Sequence, residues 1–99
     1  MSKLNQLAKA AADYFHVSLD GLKGKSREDI YTVPRHICQW VAIDAGYTKP
    51  IVARYWNVDR ASVYYGQKIV DKRIKADAAA MKEVKAFMLF ARSYMNKKA

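Results

Sequence analysis

The chain has 99 residues, with 18 lysines and arginines against 9 aspartates and glutamates, so its net charge is +9. A chain of this length forms one small domain around a single core, which we take as residues 1–99. The positive charge favours a polyanionic partner such as nucleic acid, although many small soluble proteins carry an excess of basic residues. The function must therefore be argued from motifs.

Several kinds of site are excluded by what the sequence lacks. A single cysteine, Cys38, cannot form an internal disulfide, and His16 and His36 are too far apart in the sequence to make a metal set. No histidines, cysteines or paired carboxylates converge, so we expect no enzyme, no metal site and no cofactor. The N-terminal segment has no signal-peptide pattern and no apolar run has membrane length, so we expect a soluble, cytoplasmic protein with no membrane partner.

The spacing of apolar residues predicts an all-α fold of about five helices, because period-two alternation of valine and isoleucine is missing. A first helix is predicted from a cap at Ser2 to about Phe15, with its apolar stripe in the core. Residues 18–22 are predicted to form a capped single turn. Residues 4–76 form the core of the predicted domain.

A longer helix is predicted in the middle of the chain. It should begin between residues 30 and 34, with Thr32 as its cap and Pro34 in its first turn, where proline is tolerated. Gly46 is well suited to end it. Arg35 then stands at the exposed start of this helix, where its charge opposes the helix dipole, and an anionic partner would remove that conflict.

The stretch 49–68 has the pattern of a helix-turn-helix, two short helices joined by a tight corner. Ala53 is small enough for the two helices to approach closely, and Asn57 tolerates the left-handed conformation that such a corner needs. Thr48 is predicted to cap the first helix and Asp59 the second. The residues expected between the two helices are Val52, Trp56, Val58, Val63 and Gly66.

The outward face of the second helix is basic and carries two aromatic rings. A helix held in this way can enter the major groove of duplex DNA. An arginine in its first turn favours a guanine contact, worth about 1–3 kcal/mol of discrimination if bidentate. The residues predicted to face base edges are Arg60, Ala61, Tyr65 and Lys68, with Ser62 at a phosphate or base and Asp59 capping the helix or accepting from a cytosine amino group.

Phosphate contacts are predicted on the elements around this helix. The helix that follows Thr48 presents free N–H groups that suit a phosphate, and Lys49 adds positive charge there. Lys25 and Arg27 belong to a basic loop, whose charges are either solvated surface or further phosphate contacts. Arg35 completes the predicted set.

A C-terminal helix is predicted over residues 78–96. Its aromatic side chains widen the apolar arc to roughly half the circumference, more than one buried face needs. Phe87, Phe90 and Tyr94 are predicted either to cover the first helix or to contact a second copy of the chain or a partner protein.

Four segments keep the order and approximate spacing of a known family: residues 12–22, Lys25-Ser-Arg27, Val33-Pro-Arg-His-Ile37 and Asp59-Arg-Ala-Ser-Val63. From about Leu7 to Ile74, the chain resembles the C-terminal DNA-binding domain of the bacterial replication initiator DnaA. That family reads its DNA box with a helix-turn-helix and adds a minor-groove arginine. The resemblance implies sequence-selective binding of double-stranded DNA, at a replication origin or in transcriptional regulation.

The chain departs from the family's pattern at several positions that touch bases. Arg60 and Ala61 stand where the family has a histidine and a threonine, and Val33 replaces the first arginine of an Arg-Pro-Arg element whose second arginine is Arg35. The family's docking mode is therefore expected on a different target sequence. The matches to the signature of the recognition helix are Asp59, Ser62 and Val63.

The rest of the DnaA chain has no counterpart in this sequence. No G-x-x-x-x-G-K-[ST] loop is present, and 99 residues cannot house the ATPase, so we expect a stand-alone protein of the kind that phages or mobile elements carry. A second function stays open, in which the aromatic C-terminal helix binds replication or transcription machinery. Stacking of single-stranded nucleic acid on Tyr64 and Tyr65 is a third.

Overall fold

A computed structural model describes residues 3–95, and within this range the chain forms six α-helices and no strand. The all-α fold is confirmed. The predicted single turn is a helix of its own, which accounts for the sixth. The helices are α1 (Lys3–Tyr14), α2 (Leu19–Lys23), α3 (Asp29–Asp44), α4 (Lys49–Trp56), α5 (Arg60–Ala76) and α6 (Ala78–Met95).

The central helix, α3, contacts each of the other five helices. Its buried side chains include Ile37, Cys38 and Val41, and α1 closes the core from the other side with Leu4 and Leu7. These residues recur at helical spacing, so one face of each helix is removed from water. Burial of this apolar area is the main source of stability of the domain.

The start of α3 differs from its prediction. The helix begins at Asp29, where Glu28 is the cap with extended backbone and its carbonyl accepts from the N–H groups of Tyr31 and Thr32, both at 2.9 Å. The predicted cap at Thr32 is therefore wrong. Pro34 lies in the second turn rather than the first. The end of the helix is as predicted, because Gly46 follows it with a φ of +111°.

The short helix α2 is capped as its sequence indicates. The Ser18 side chain accepts a hydrogen bond from the N–H of Gly21 at 2.9 Å. The predicted cap at Ser2, the side chain of Met95 and the end of the last helix at Asn96 lie outside the described residues.

The corner between α4 and α5 is short and is held by backbone groups. Asn57 adopts the left-handed conformation, with φ 55° and ψ 49°, as predicted. The N–H of Val58 then turns back to the carbonyl of Ala53 at 3.0 Å, which satisfies one of the free carbonyls at the end of α4. On the other side of the corner, Asp59 accepts from the N–H of Ser62 at 2.8 Å and caps α5. Of the residues predicted between the two helices, Val52, Trp56, Val63 and Gly66 are buried, while Val58 is half-buried.

Close packing of α5 on α3 depends on a glycine. A Cβ added at Gly66 would lie 2.7 Å from Cδ2 of His36, closer than two carbon atoms can approach. Any larger side chain at this position would therefore push the two helices apart or displace the imidazole. This contact fixes the distance between α3 and α5.

Substitution of Gly66 by valine is expected to lower the free energy of unfolding by about 1–3 kcal/mol, because the added methyl groups overlap the His36 ring. The same substitution in a His36→Ala background should cost clearly less. Urea unfolding followed by far-UV circular dichroism measures both costs. Equal costs in the two backgrounds would show that the His36 contact does not set the helix spacing.

Candidate nucleic-acid interface

Most of the residues that are predicted to contact bases are exposed on the outer side of α5. Five of them are exposed in the first two and a half turns of the helix, and 65% of the surface of Tyr65 is accessible. We call this set, together with Tyr64, the α5 face: Arg60, Ala61, Ser62, Tyr64, Tyr65 and Lys68. It combines a guanidinium, an ammonium, a hydroxyl, a methyl group and two aromatic rings, which are groups that can contact both base edges and phosphates.

Tyr64 brings together two lysines from different helices. The Lys68 ammonium lies 4.7 Å from the centre of the Tyr64 ring, and that of Lys49 lies 5.7 Å from it. Both distances allow cation–π attraction, which gathers positive charge on one side of the α5 face. Tyr64 and Lys68 are four residues apart on one helix, so their contact is predictable from the sequence. The Lys49 contact joins α4 to α5 and has no local sequence signal.

The basic loop between α2 and α3 reaches the corner of the predicted motif. Lys25 Nζ donates a hydrogen bond to the carbonyl of Asn57, so this lysine is held next to the start of α5. Lys23 is turned elsewhere, with its ammonium 4.0 Å from the centre of the Tyr55 ring. Arg27 is exposed. The loop thus presents Lys25 and Arg27, but not Lys23, beside α5.

An open groove of about 580 Å³ separates the loop from α5. Lys25 and Arg27 line one side of it, and Ser62 and Tyr65 line the other. The floor comes from α3 and includes His36 and Gln39, which no sequence motif predicts at the site. Arg35 also lines the groove, which therefore brings five of the predicted contact residues onto one continuous surface.

His36 adds no fixed charge to the floor of this groove. Burial lowers the pKa of its imidazole, and the neighbouring charge of Arg35 lowers it further. Because an unperturbed histidine already titrates near pH 6.5, the ring is neutral at pH 7. A neutral imidazole can both donate and accept a hydrogen bond. The basic character of the groove comes from its lysine and arginine side chains.

The carboxylate of Asp59 caps its own helix, α5. The hydrogen bond from the N–H of Ser62 is the main cause that lowers the pKa of its carboxyl group, and the charge of Lys25 also lowers it. The cap is therefore fully ionised at neutral pH and is lost only as the pH falls through this lowered value. The Ser62 side chain is hydrogen-bonded to the same carboxylate and lowers its pKa as well.

Thr48 and Lys49 occupy the start of α4, as predicted. Thr48 has the extended backbone of a cap, but its hydroxyl makes no capping hydrogen bond. The first N–H groups of α4 thus lack a side-chain acceptor from the cap residue. Thr48 is exposed and Lys49 is half-buried against the α5 face.

Arg35 is not at the exposed start of α3. Only 9% of its surface is accessible. Its Nε donates to the carbonyl of Leu22 at 2.7 Å, Nη1 to that of Ser26 at 2.9 Å and Nη2 to that of Gly21 at 3.0 Å. Because α3 begins at Asp29, position 35 falls in the second turn, where the side chain folds back over the loop. The predicted exposure is wrong, and the guanidinium serves as a clamp on the residues that precede α3.

Phe87 is likewise not available to a partner. It is fully buried, with its ring centre 5.4 Å from that of Phe15 and 5.6 Å from that of Tyr14. Phe90 is 36% exposed and Tyr94 is half-buried, with its hydroxyl hydrogen-bonded to Asp13. The aromatic side of α6 mainly covers α1, which was the first of the two predicted alternatives.

Within residues 3–95, no group of three or more histidine, cysteine, aspartate or glutamate side chains is arranged to hold a metal ion. None of the helices in the same range is both long and apolar enough to cross a membrane.

Replacement of Arg35 by glutamine is expected to lower the free energy of unfolding by about 1.5–3 kcal/mol, because the three carbonyls lose a charged donor in a buried place. Arg27→Gln removes the same charge from an exposed position and should change it by less than about 0.5 kcal/mol. Urea unfolding of both variants provides the comparison. Equal midpoints for the two variants would contradict the clamp.

Comparison with known proteins places a single stretch of similarity over most of the chain. Over 82 residues, the chain is 32% identical to the chromosomal replication initiator protein DnaA of Enterococcus faecalis (strain ATCC 700802 / V583). This region is 80% of the present chain but only 18% of that protein, so the chain spans less than a fifth of the relative that it matches. No family model matches the sequence. The chain is thus similar to a short part of a replication initiator.

Proposed function

We propose that this protein binds double-stranded DNA with sequence preference, using α4 and α5 as a helix-turn-helix. The observation that carries the proposal is the α5 face, which is exposed, basic and bordered by the groove under the loop. The similarity to part of a replication initiator supports it. The role that follows is binding at a replication origin or in transcriptional regulation, without enzymatic activity.

The geometry of α5 suits the major groove. With 17 residues the helix is about 25 Å long, and only its second half is covered by α6. The first turns of α5 follow the corner at Asn57 and are exposed on their outer side. The α5 face can therefore approach base edges while α4 lies across the DNA backbone. The tight approach of α5 to α3 at Gly66 keeps this helix in a fixed position.

Base readout is assigned to the first turns of α5. Arg60 is the one guanidinium on the α5 face, and a bidentate contact with O6 and N7 of guanine is its favoured partner. Ala61 and Tyr65 offer apolar surface, which suits the methyl group of thymine. Ser62 donates its N–H to Asp59 and its side chain is also hydrogen-bonded to that carboxylate, so a base or phosphate would compete with the cap for its hydroxyl.

Phosphate binding is assigned to the borders of this surface. On one side Lys49 and Lys68 gather around Tyr64, next to the free N–H groups after Thr48. On the other side Lys25 and Arg27 line the groove. Each phosphate that a lysine or arginine neutralises releases counterions and makes the affinity dependent on salt. Arg35 is left out of this set because its guanidinium is used inside the domain.

Arg60→Ala should relax the preference at one base position and cost about 1–3 kcal/mol on the preferred site, with little change on random DNA. Arg92→Ala, which removes an exposed arginine from α6, is the matched control and should bind both duplexes as the unchanged protein does. Fluorescence anisotropy with labelled duplexes gives the affinities. Equal losses on specific and random DNA for Arg60→Ala would rule out base readout by this residue.

Lys49→Ala should weaken binding to all duplexes alike and should reduce the slope of log affinity against log salt by about 1, because one phosphate contact is lost. Titrations over a range of salt concentrations measure this slope. A slope that stays unchanged would remove Lys49 from the phosphate-binding set.

Selection of bound sequences from a random duplex pool tests the proposal as a whole. We expect one motif to be enriched, with a guanine at the position that loses preference in Arg60→Ala. The selected site would also supply the specific duplex for the two variants above. Failure to enrich any sequence at about 150 mM salt, where weak phosphate contacts are screened, would contradict sequence-selective binding.

A further inference from the structure

The outer side of α6 exposes a large apolar residue that the DNA-binding proposal does not use. Leu89 is 64% exposed, and the neighbouring Phe90 is 36% exposed. The opposite side of the same helix packs in the core, where Val84, Phe87 and Ala91 are buried. Leu89 is therefore apolar surface that the fold itself leaves uncovered.

Basic side chains are arranged around Leu89 in a regular row. Positions 82, 85, 89 and 92 are separated by three or four residues, so they lie on one side of the helix. All four side chains are exposed. We call this row the α6 stripe: Lys82, Lys85, Leu89 and Arg92.

The stripe is separate from the proposed DNA-binding surface. The α6 helix packs on α1, and its first turns contact the second half of α5 near Val70 and Ile74. The α5 face lies at the other end of α5, before residue 70. From Lys82 to Arg92 the stripe extends about 15 Å along α6, the length of three helical turns.

We propose that the α6 stripe binds an acidic amphipathic helix of a partner protein. Leu89, with the exposed edge of Phe90, would contact apolar residues spaced by three or four positions on the partner. The charges of Lys82, Lys85 and Arg92 would pair with carboxylates on both sides of that apolar row. A helix laid along a helix face is an established way of recognising a partner, and charge complementarity around an apolar centre sets its specificity.

The charges of the stripe argue against a second copy of this chain as the occupant. In a symmetric dimer the same surface meets itself, so Lys85 and Arg92 would face the lysines and arginines of the other copy. Glu83 is the single acidic residue of α6 among residues 78–95 and cannot balance them. The net charge of +9 adds to this repulsion.

A lipid surface is also a poor match. A helix that lies in a membrane interface needs a wide apolar face next to its basic residues. The wide apolar face of α6 is buried against α1, and among residues 78–94 the large apolar side chains that the helix exposes are Leu89 and Phe90. A single leucine with one ring edge is enough for contact with another helix but is too little for insertion.

The test uses the full chain and a fluorescein-labelled peptide of about 18 residues, long enough for five helical turns, with leucine at alternating third and fourth positions and glutamate beside them. A peptide of the same composition with scrambled order is the control. In fluorescence anisotropy at about 150 mM salt, we expect the amphipathic peptide to bind at least about tenfold more tightly than the scrambled one.

Variants then assign the binding to the stripe. Leu89→Ser and, separately, Lys85→Glu combined with Arg92→Glu should each weaken binding of the amphipathic peptide by about tenfold or more. The matched controls are Ile51→Ser, an apolar residue 46% exposed on α4, and Lys3→Glu combined with Lys9→Glu, two exposed lysines on α1. Both controls should bind the peptide as the unchanged protein does. Leu89→Ser should keep its affinity for duplex DNA, so this result is independent of the DNA-binding proposal.

Other outcomes would overturn the proposal. Equal binding of the amphipathic and scrambled peptides, or equal losses in the stripe variants and in the controls, would show that the stripe is not a docking surface. Leu89-dependent dimers in sedimentation would assign the surface to a second copy of the chain. Leu89-dependent binding to vesicles of phosphatidylglycerol and phosphatidylcholine, without peptide binding, would assign it to a membrane.

Discussion

The backbone oxygen of Leu22 is the point on which the arrangement of this domain depends. It accepts one hydrogen bond from Arg35 Nε at 2.7 Å and another from Trp56 Nε1 at 3.2 Å. A carbonyl oxygen can accept two such bonds, and here both are supplied by buried side chains. One atom thus joins α2, the central helix α3 and the end of α4, next to the corner that leads into α5. The position of the loop relative to the α5 face follows from this junction.

The helices and the corner of this fold could be predicted from the sequence because their signals are local. Apolar spacing indicates α1, α5 and α6, while Asn57 and Asp59 mark the corner and the cap through their own chemistry. The predicted start of α3 is too late because Pro34 favours a first turn, whereas the helix begins at Asp29. The error moved Arg35 to an exposed end, whereas the correct start places it over the loop.

The candidate site was predictable only in part, since local patterns do not show which side chains meet across helices. The exposure of the α5 face follows from helical spacing. The burial of Phe87, by contrast, depends on Tyr14 and Phe15, more than 70 residues earlier in the chain. His36 and Gln39 on the floor of the groove, and Lys49 beside Tyr64, are likewise placed by tertiary packing. None of these contacts has a signal within one helix.

Every acceptor used by Arg35 is a main-chain carbonyl, at Gly21, Leu22 and Ser26. Main-chain oxygens are the same whatever side chain a residue carries, so the clamp constrains the path of the loop but not the identity of its exposed positions. Evolution can therefore change Lys25 or Arg27 without disturbing the attachment of the loop to α3. Substitutions at a few exposed positions can therefore change the binding preference of such a domain while the arrangement of its helices stays the same.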